Sequence, residues 1–220
     1  MLDKTRVCVP ILEKKYESVI KAAEISVNAG ADLLELRIDF MDDPSLVDLK
    51  SIIMEINFPL IATNRKNDEG GFFKGSESKR TKILLEAAKY ADIVDIELST
   101  DDEYLKKILD TANSTIISYH DFKKTPTADK LLEIVKKEKE LGDIAKFAVM
   151  PQKMSDTLIV LDVLSMVDNT VGISMGKLGS YTRVIAPLFG SPITFASIKN
   201  ASAPGQLDIQ TTNDILSKLV

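Results

Sequence analysis

Eight short apolar runs, separated by longer amphipathic stretches, constrain the fold of this 220-residue chain more than any other feature. They span residues 6–11, 32–38, 59–64, 93–98, 115–120, 144–150, 170–174 and 193–197. Short, near-continuous apolar runs read as strands covered on both faces, the condition of a parallel sheet. Their spacing of roughly 25 residues is the rhythm of a (β/α)8 TIM barrel, and an open doubly wound sheet would expect fewer units in this length. Between the strands, 17–29 carries apolar residues at helical spacing and stops at Gly30, a good C-terminal cap. Thr125 followed by Pro126 fits an N-cap with proline at the first helical position, and that helix is expected to run to Gly142. Helices are also expected over 154–167 and, more briefly, 213–219. The expectation is a single (β/α)8 barrel catalytic domain over 1–220.

Composition narrows the class of protein. With 45% hydrophobic residues the chain can bury a sizeable core. A net charge of −5 and a pI near 5.1 argue against nucleic-acid and membrane-surface partners. One cysteine, Cys8, excludes an internal disulfide and suits a reducing cytosol. MLDKTR leads straight into an apolar run, unlike a signal peptide, and no segment approaches the roughly 20 apolar residues of a membrane span. A cytoplasmic location is expected.

The chemistry sits on the strands. Lys146 lies in the middle of the apolar run in DIAKFAVMP. Bringing a lysine from its ordinary pKa of about 10.4 to about 7.5 costs roughly 4 kcal/mol, so a fold keeps a buried one for a reason. The functional reason is an amine that forms a Schiff base with a carbonyl substrate; the structural one is a strand-end lysine that snorkels to water. In DLLELRID, Leu34, Leu36 and Ile38 share one face, and Glu35, Arg37 and Asp39 share the other. Strand 4, DIVDIELS, repeats this with Asp95 and Glu97. Such charged faces inside a barrel either form an ion-pair network or bind a hydroxyl-rich substrate. His120, the only histidine, ends strand 5 in SYHDF, so imidazole acid–base chemistry can fall only to it. One histidine and one cysteine leave no basis for a structural zinc site.

Two long polar connections, 65–80 and 198–212, follow strand C-terminal ends, where barrels build active sites. Gly70, Gly71, Gly75 and Gly205 would permit them to move as lids, and the plain alternative is a solvated surface loop. The glycine-rich 172–190 follows strand 7, where barrels often bind phosphate, but has neither Walker nor dinucleotide spacing. Arg183 within it offers a fork for a carboxylate or phosphate.

Together ELRID, NRKNDEGG, SYHDF, AKFAVMP, ISMGKLGSYTRV, FGSPITFAS and SAPGQ resemble, in order and spacing, the type I 3-dehydroquinate dehydratases, Schiff-base enzymes of the shikimate pathway of aromatic amino acid biosynthesis. The resemblance implies that Lys146 forms the imine, that His120 transfers the proton and that Glu69 orients His120. It implies that Glu35, Arg37 and Arg65 hold ring hydroxyls, that Arg183, Ser202 and Gln206 grip a carboxylate, and that Met175 and Phe195 line the site. It implies a homodimer and a reaction without cofactor or metal, since the imine is the electron sink. The chain departs from the family at its N-terminus, with almost no room for the short strands that often precede the barrel. The implied reaction is dehydration of 3-dehydroquinate to 3-dehydroshikimate. The rival readings are a class I aldolase-type barrel acting on a sugar phosphate, and a non-catalytic barrel that binds a polyhydroxy acid.

Overall fold

The computed structural model describes residues 5–42, 46–198 and 203–219. Every expected strand forms, within two residues of its expected ends. In chain order the elements are β1 (Arg6–Ile11), α1 (Tyr16–Asn28), β2 (Leu33–Arg37), α2 (Leu46–Ile56), β3 (Leu60–Thr63), α3 (Glu77–Ala87), β4 (Ile93–Glu97) and α4 (Asp102–Leu109). They continue with β5 (Thr115–Asp121), α5 (Ala128–Leu141), β6 (Ile144–Val149), α6 (Met154–Met166), β7 (Thr170–Ser174), the one-turn helices α7 (Gly176–Gly179) and α8 (Thr182–Ile185), β8 (Ile193–Phe195) and α9 (Ile209–Leu219). All the paired strands are parallel, in the order β7-β6-β5-β4-β3-β2-β1-β8. This is a nearly closed (β/α)8 barrel. Among the described residues no ladder joins β7 to β8; α8 packs against both, and Thr194 Oγ1 donates to Arg183 O at 2.6 Å. No helix of the described residues is long and apolar enough to cross a membrane.

The two-residue period of the strands explains both the core and the site. One inward residue from each strand, Cys8, Leu33, Ile61, Ile93, Ile116, Ile144, Val171 and Ile193, joins a single buried apolar cluster. This plug fills the barrel interior below the site. Two residues further along the same inward faces stand Glu35, Thr63, Asp95, Ser118 and Lys146, all buried. Another two along come Arg37, Arg65, Glu97 and His120. The outward faces, including Leu34, Leu36, Leu60, Ala62, Val94 and Ile96, pack with the helices into the main core.

Helix ends depart from expectation in two places. The N-cap of α5 is Thr127, whose side chain accepts from Lys130 N, so the Thr125–Pro126 pair precedes the helix instead of opening it. Helix α9 begins at Ile209, four residues before the expected 213, because the Asp208 carboxylate accepts from Thr211 N at 2.9 Å and caps the first turn. Gly30 does end α1, at φ +94° and with its N–H on Val27 O at 3.0 Å. The connection after β3 is shorter than 65–80, since Ser76 caps α3 by accepting from Lys79 N.

One helix residue opposes the fold energetically. Glu138 of α5 is fully buried; the backbone N–H of Lys146 lies near enough to favour its charged form, but neither carboxylate oxygen makes a well-formed hydrogen bond. Burial pushes its carboxyl up to about 10. Below its ordinary pKa near 4.5 the group is neutral in folded and unfolded chains alike. As pH rises, the unfolded chain ionises first and stability falls until the folded carboxyl follows. Glu138→Gln should therefore stabilise the protein at pH 7 by up to ~3 kcal/mol. The gain should vanish at pH 4, as read from denaturant unfolding at both pH values; an equal gain at both would leave the carboxyl ionised in the fold.

Candidate active site

The C-terminal ends of the strands converge on a cleft of about 510 Å³. Glu35, Arg37, Arg65, Glu69, His120, Lys146, Met175, Arg183, Phe195 and Gln206 all line it, together with Gly70, Phe122, Ala148, Ile173 and Ala203. Ser202 lies outside the described residues. Every other residue singled out for this site from the sequence is thus brought to one cavity.

Lys146 stands inside the barrel on β6 with only 5% of its surface exposed, so it does not snorkel to water. Its Nζ donates to Asp95 Oδ2 at 2.8 Å and lies 4.3 Å from the centre of the Phe195 ring. Asp95 Oδ1 accepts from Arg65 Nη2 and from Ser118 Oγ, each at 2.7 Å. Burial alone would raise the Asp95 carboxyl, but Arg65 and Lys146 hold it far below the usual carboxylate range. Arg65 also donates to Glu97 Oε1 at 3.1 Å, and Glu97 Oε2 pairs with Arg80 of α3 at 2.8 Å. On β2, Glu35 accepts from Thr63 Oγ1 at 2.7 Å, while Arg37 forms a two-point pair with Asp39 at 2.9 and 2.7 Å.

His120 and Glu69 form a dyad across the loop that follows β3. Glu69 Oε2 lies 3.0 Å from His120 Nδ1 and accepts the His120 backbone N–H at 3.1 Å; Oε1 accepts from Ser99 Oγ at 2.7 Å. Burial raises the Glu69 carboxyl, against the pull of Arg65 and of Ser99. An ionised Glu69 can only accept, so Nδ1 carries the hydrogen toward it and Nε2 keeps its lone pair. Burial, then the positive charges of Arg65 and Lys146, hold the His120 imidazole well below 6.5. It is a neutral base at pH 7.

Arg183 is different from the other cations. It is buried, its Nε has no partner, and Nη2 donates only to Pro204 O at 3.3 Å. Burial pushes the guanidinium down to about 10, and it remains charged at neutral pH. Among the described residues no carboxylate pairs with it, so its fork is available to an anionic ligand.

Two parts of this arrangement were not readable as site residues in advance. Asp95 sits on the inward face that its period predicted, but its contact with Lys146 reaches past β5. Phe122, the last residue of SYHDF, crosses the mouth so closely that a Cβ on Gly70 would lie 2.3 Å from its ring. The motif itself was the available signal.

A family model for type I 3-dehydroquinase matches residues 7–219. The 3-dehydroquinate dehydratase of Methanobrevibacter smithii is 54% identical over 217 residues, covering 99% of this chain and 97% of the relative. That of Methanothermobacter thermautotrophicus is 50% identical, with 98% of each chain covered. Among solved structures, the type I 3-dehydroquinate dehydratase from Clostridium difficile, bearing covalently modified comenic acid, superposes with a TM-score of 0.90 at 30% identity, over 98% of this chain and 92% of that one. The chain belongs to the type I 3-dehydroquinase family.

Proposed function

We propose that this protein is a hydro-lyase of the shikimate pathway that dehydrates 3-dehydroquinate to 3-dehydroshikimate through an imine on Lys146. The observation that carries the reading is one cleft holding a buried lysine amine, a neutral histidine and an arginine without an acidic partner. Each is matched to one part of a keto-hydroxy-acid. Lys146 Nζ attacks the ring ketone, and loss of water leaves a protonated imine that draws electrons from the neighbouring carbon. His120 Nε2 removes the proton there, giving an enamine, and Glu69 holds the imidazole in the tautomer that permits this. The enamine expels the adjacent hydroxyl, which takes the proton from His120 and departs as water. A second water then hydrolyses the imine and frees Lys146. Glu35, Arg37 and Arg65 present a polar wall for ring hydroxyls, Met175 and Phe195 an apolar one, and Arg183 with Gln206 and Ser202 the carboxylate grip.

The same reading includes a homodimer in a cytoplasmic setting. Exposed Met154, Leu158 and Met166 on α6, with Leu188 and Phe189 beside them in the chain before β8, support an apolar contact between copies. Leu158 and Phe189 line one shallow depression. A buried free thiol, Cys8, supports a reducing compartment.

Borohydride treatment of enzyme and 3-dehydroquinate should leave one stable adduct, on the peptide that contains Lys146. Lys146→Arg should form none, because a guanidinium stays protonated. An adduct on Lys153 or Lys177 would defeat the assignment.

His120→Ala should abolish elimination while the Lys146 adduct still accumulates. Because His120 is held well below 6.5, the acid limb of kcat/KM should fall below that pH, not at it. A limb at or above 6.5 would assign the base elsewhere.

Arg183→Ala removes two charge-assisted hydrogen bonds of roughly 1.5–3 kcal/mol each, so kcat/KM should drop on the order of a hundredfold or more. Arg183→Lys should recover part of this, since it keeps the charge and loses the fork. With an analogue lacking the carboxylate, wild type and Arg183→Ala should behave alike. A mutant that keeps its preference for the carboxylated substrate would move the grip elsewhere and favour a sugar-phosphate substrate instead.

A further inference from the structure

Asp39 has the chemistry of an anchor and no substrate to hold. It lies in the single 3-10 turn that follows β2, 6% exposed, and does not line the cleft. Its two oxygens accept four hydrogen bonds. Oδ1 takes Arg37 Nε at 2.9 Å and the backbone N–H of Arg65 at 3.3 Å; Oδ2 takes Arg37 Nη2 at 2.7 Å and the backbone N–H of Phe72 at 3.0 Å. Arg65 and Phe72 are the two ends of the loop that carries Glu69. That loop is pinched at the same neck, where a Cβ on Gly71 would lie 2.0 Å from Arg65 O. The turn adds an aromatic clasp: the rings of Phe40 and Phe72 are 4.4 Å apart, and the Arg37 guanidinium lies 5.2 Å from the Phe40 ring centre.

One carboxylate therefore fixes two things at once. It aims Arg37 into the cleft, and it closes the base of the loop whose middle presents Glu69 to His120. We infer that Asp39 is a positioning residue that couples the Arg37 side of the substrate site to the Glu69–His120 dyad. The inference rests on the roles proposed above for Lys146, Glu69 and His120. A residue that only braced Arg37 would affect binding; one that also holds the loop must affect proton transfer.

Asp39→Asn is the informative change, because it keeps the shape and puts an amide NH2 in place of one acceptor, against donors that already point there. Turnover is counted per Lys146 that borohydride can trap, so that only folded sites enter the comparison. The expected result is a fall in kcat of at least about tenfold, alongside a raised KM, with wild-type extent of Lys146 trapping. Combined with Glu69→Gln, the second change should cost less than about twofold more in kcat, since both act on one dyad. A raised KM with unchanged kcat, or losses that multiply in the double variant, would overturn the inference and leave Asp39 as a brace for Arg37. Failure to trap Lys146 in the wild-type enzyme would instead overturn the reading of the site itself, which separates the two.

Discussion

A single buried carboxylate, Asp95, holds two buried cations, Lys146 at 2.8 Å and Arg65 at 2.7 Å. Without it Lys146 would lose its only carboxylate partner and Arg65 would keep only Glu97, and a buried charge left unpaired costs several kcal/mol. The alternation of sign continues outward, from Lys146 through Asp95, Arg65, Glu97 and Arg80 to Glu77 on α3. The chain of pairs begins on the inward face of β6 and ends on a helix outside the barrel. Buried pairs of this kind add little net stability, because desolvation offsets their attraction. What they fix is geometry: each member has one arrangement that satisfies its neighbours, and a disturbed member leaves the next one unpaired.

That fixed field sets the behaviour of the dyad beside it. Burial first, and then Arg65 and Lys146 beside it, keep a further charge off the imidazole, so His120 stays neutral. Glu69 meets the opposite demand, kept as an acceptor by donors from Ser99 Oγ and from the backbone N–H and Nδ1 of His120. A neutral base backed by a carboxylate can receive a proton in one step and return it in the next, as dehydration requires. The apolar plug, from Cys8 to Ile193, fills the barrel below the site and gives these polar groups an apolar floor.

How much of this was legible in the sequence follows from the range of each interaction. The strands were, because a run buried on both faces has few polar residues to confuse it; parity then put Glu35 and Arg37 on one face and Asp95 and Glu97 on another, while Asp39, grouped with the first pair, lies in the turn after β2 and outside the cleft lining. His120 and Lys146 were legible as a pair at strand tips. The Lys146–Asp95 contact was not, since parity gives the face of a residue but not its height relative to a strand two places away. The family motifs supplied Glu69, whose position depends on a loop closed by Asp39 and Gly71. Helix caps were misjudged where two signals lay side by side: in Thr125–Pro126–Thr127 the second threonine caps, and at α9 the cap is Asp208.

The charge balance of the interior also bears on what the cleft accepts. Arg37 is matched by Asp39, Arg65 by Asp95 and Glu97, Arg80 by Glu77 and Glu97, and Lys146 by Asp95. Among the described residues Arg183 alone of the buried cations has no carboxylate. It also stands at the seam where β7 and β8 share no ladder, with its backbone tied to Thr194 and its Nε left open. A ligand carboxylate would complete the pairing that these residues omit. A neutral sugar would leave the cation without a carboxylate, so this pairing would favour an acid over a neutral ligand. One planar fork facing one negative charge suits a monocarboxylate better than a doubly charged phosphate, which would need further donors to balance it. On the reading proposed for this site, the substrate carboxylate would be the remaining member of the interior ion-pair set.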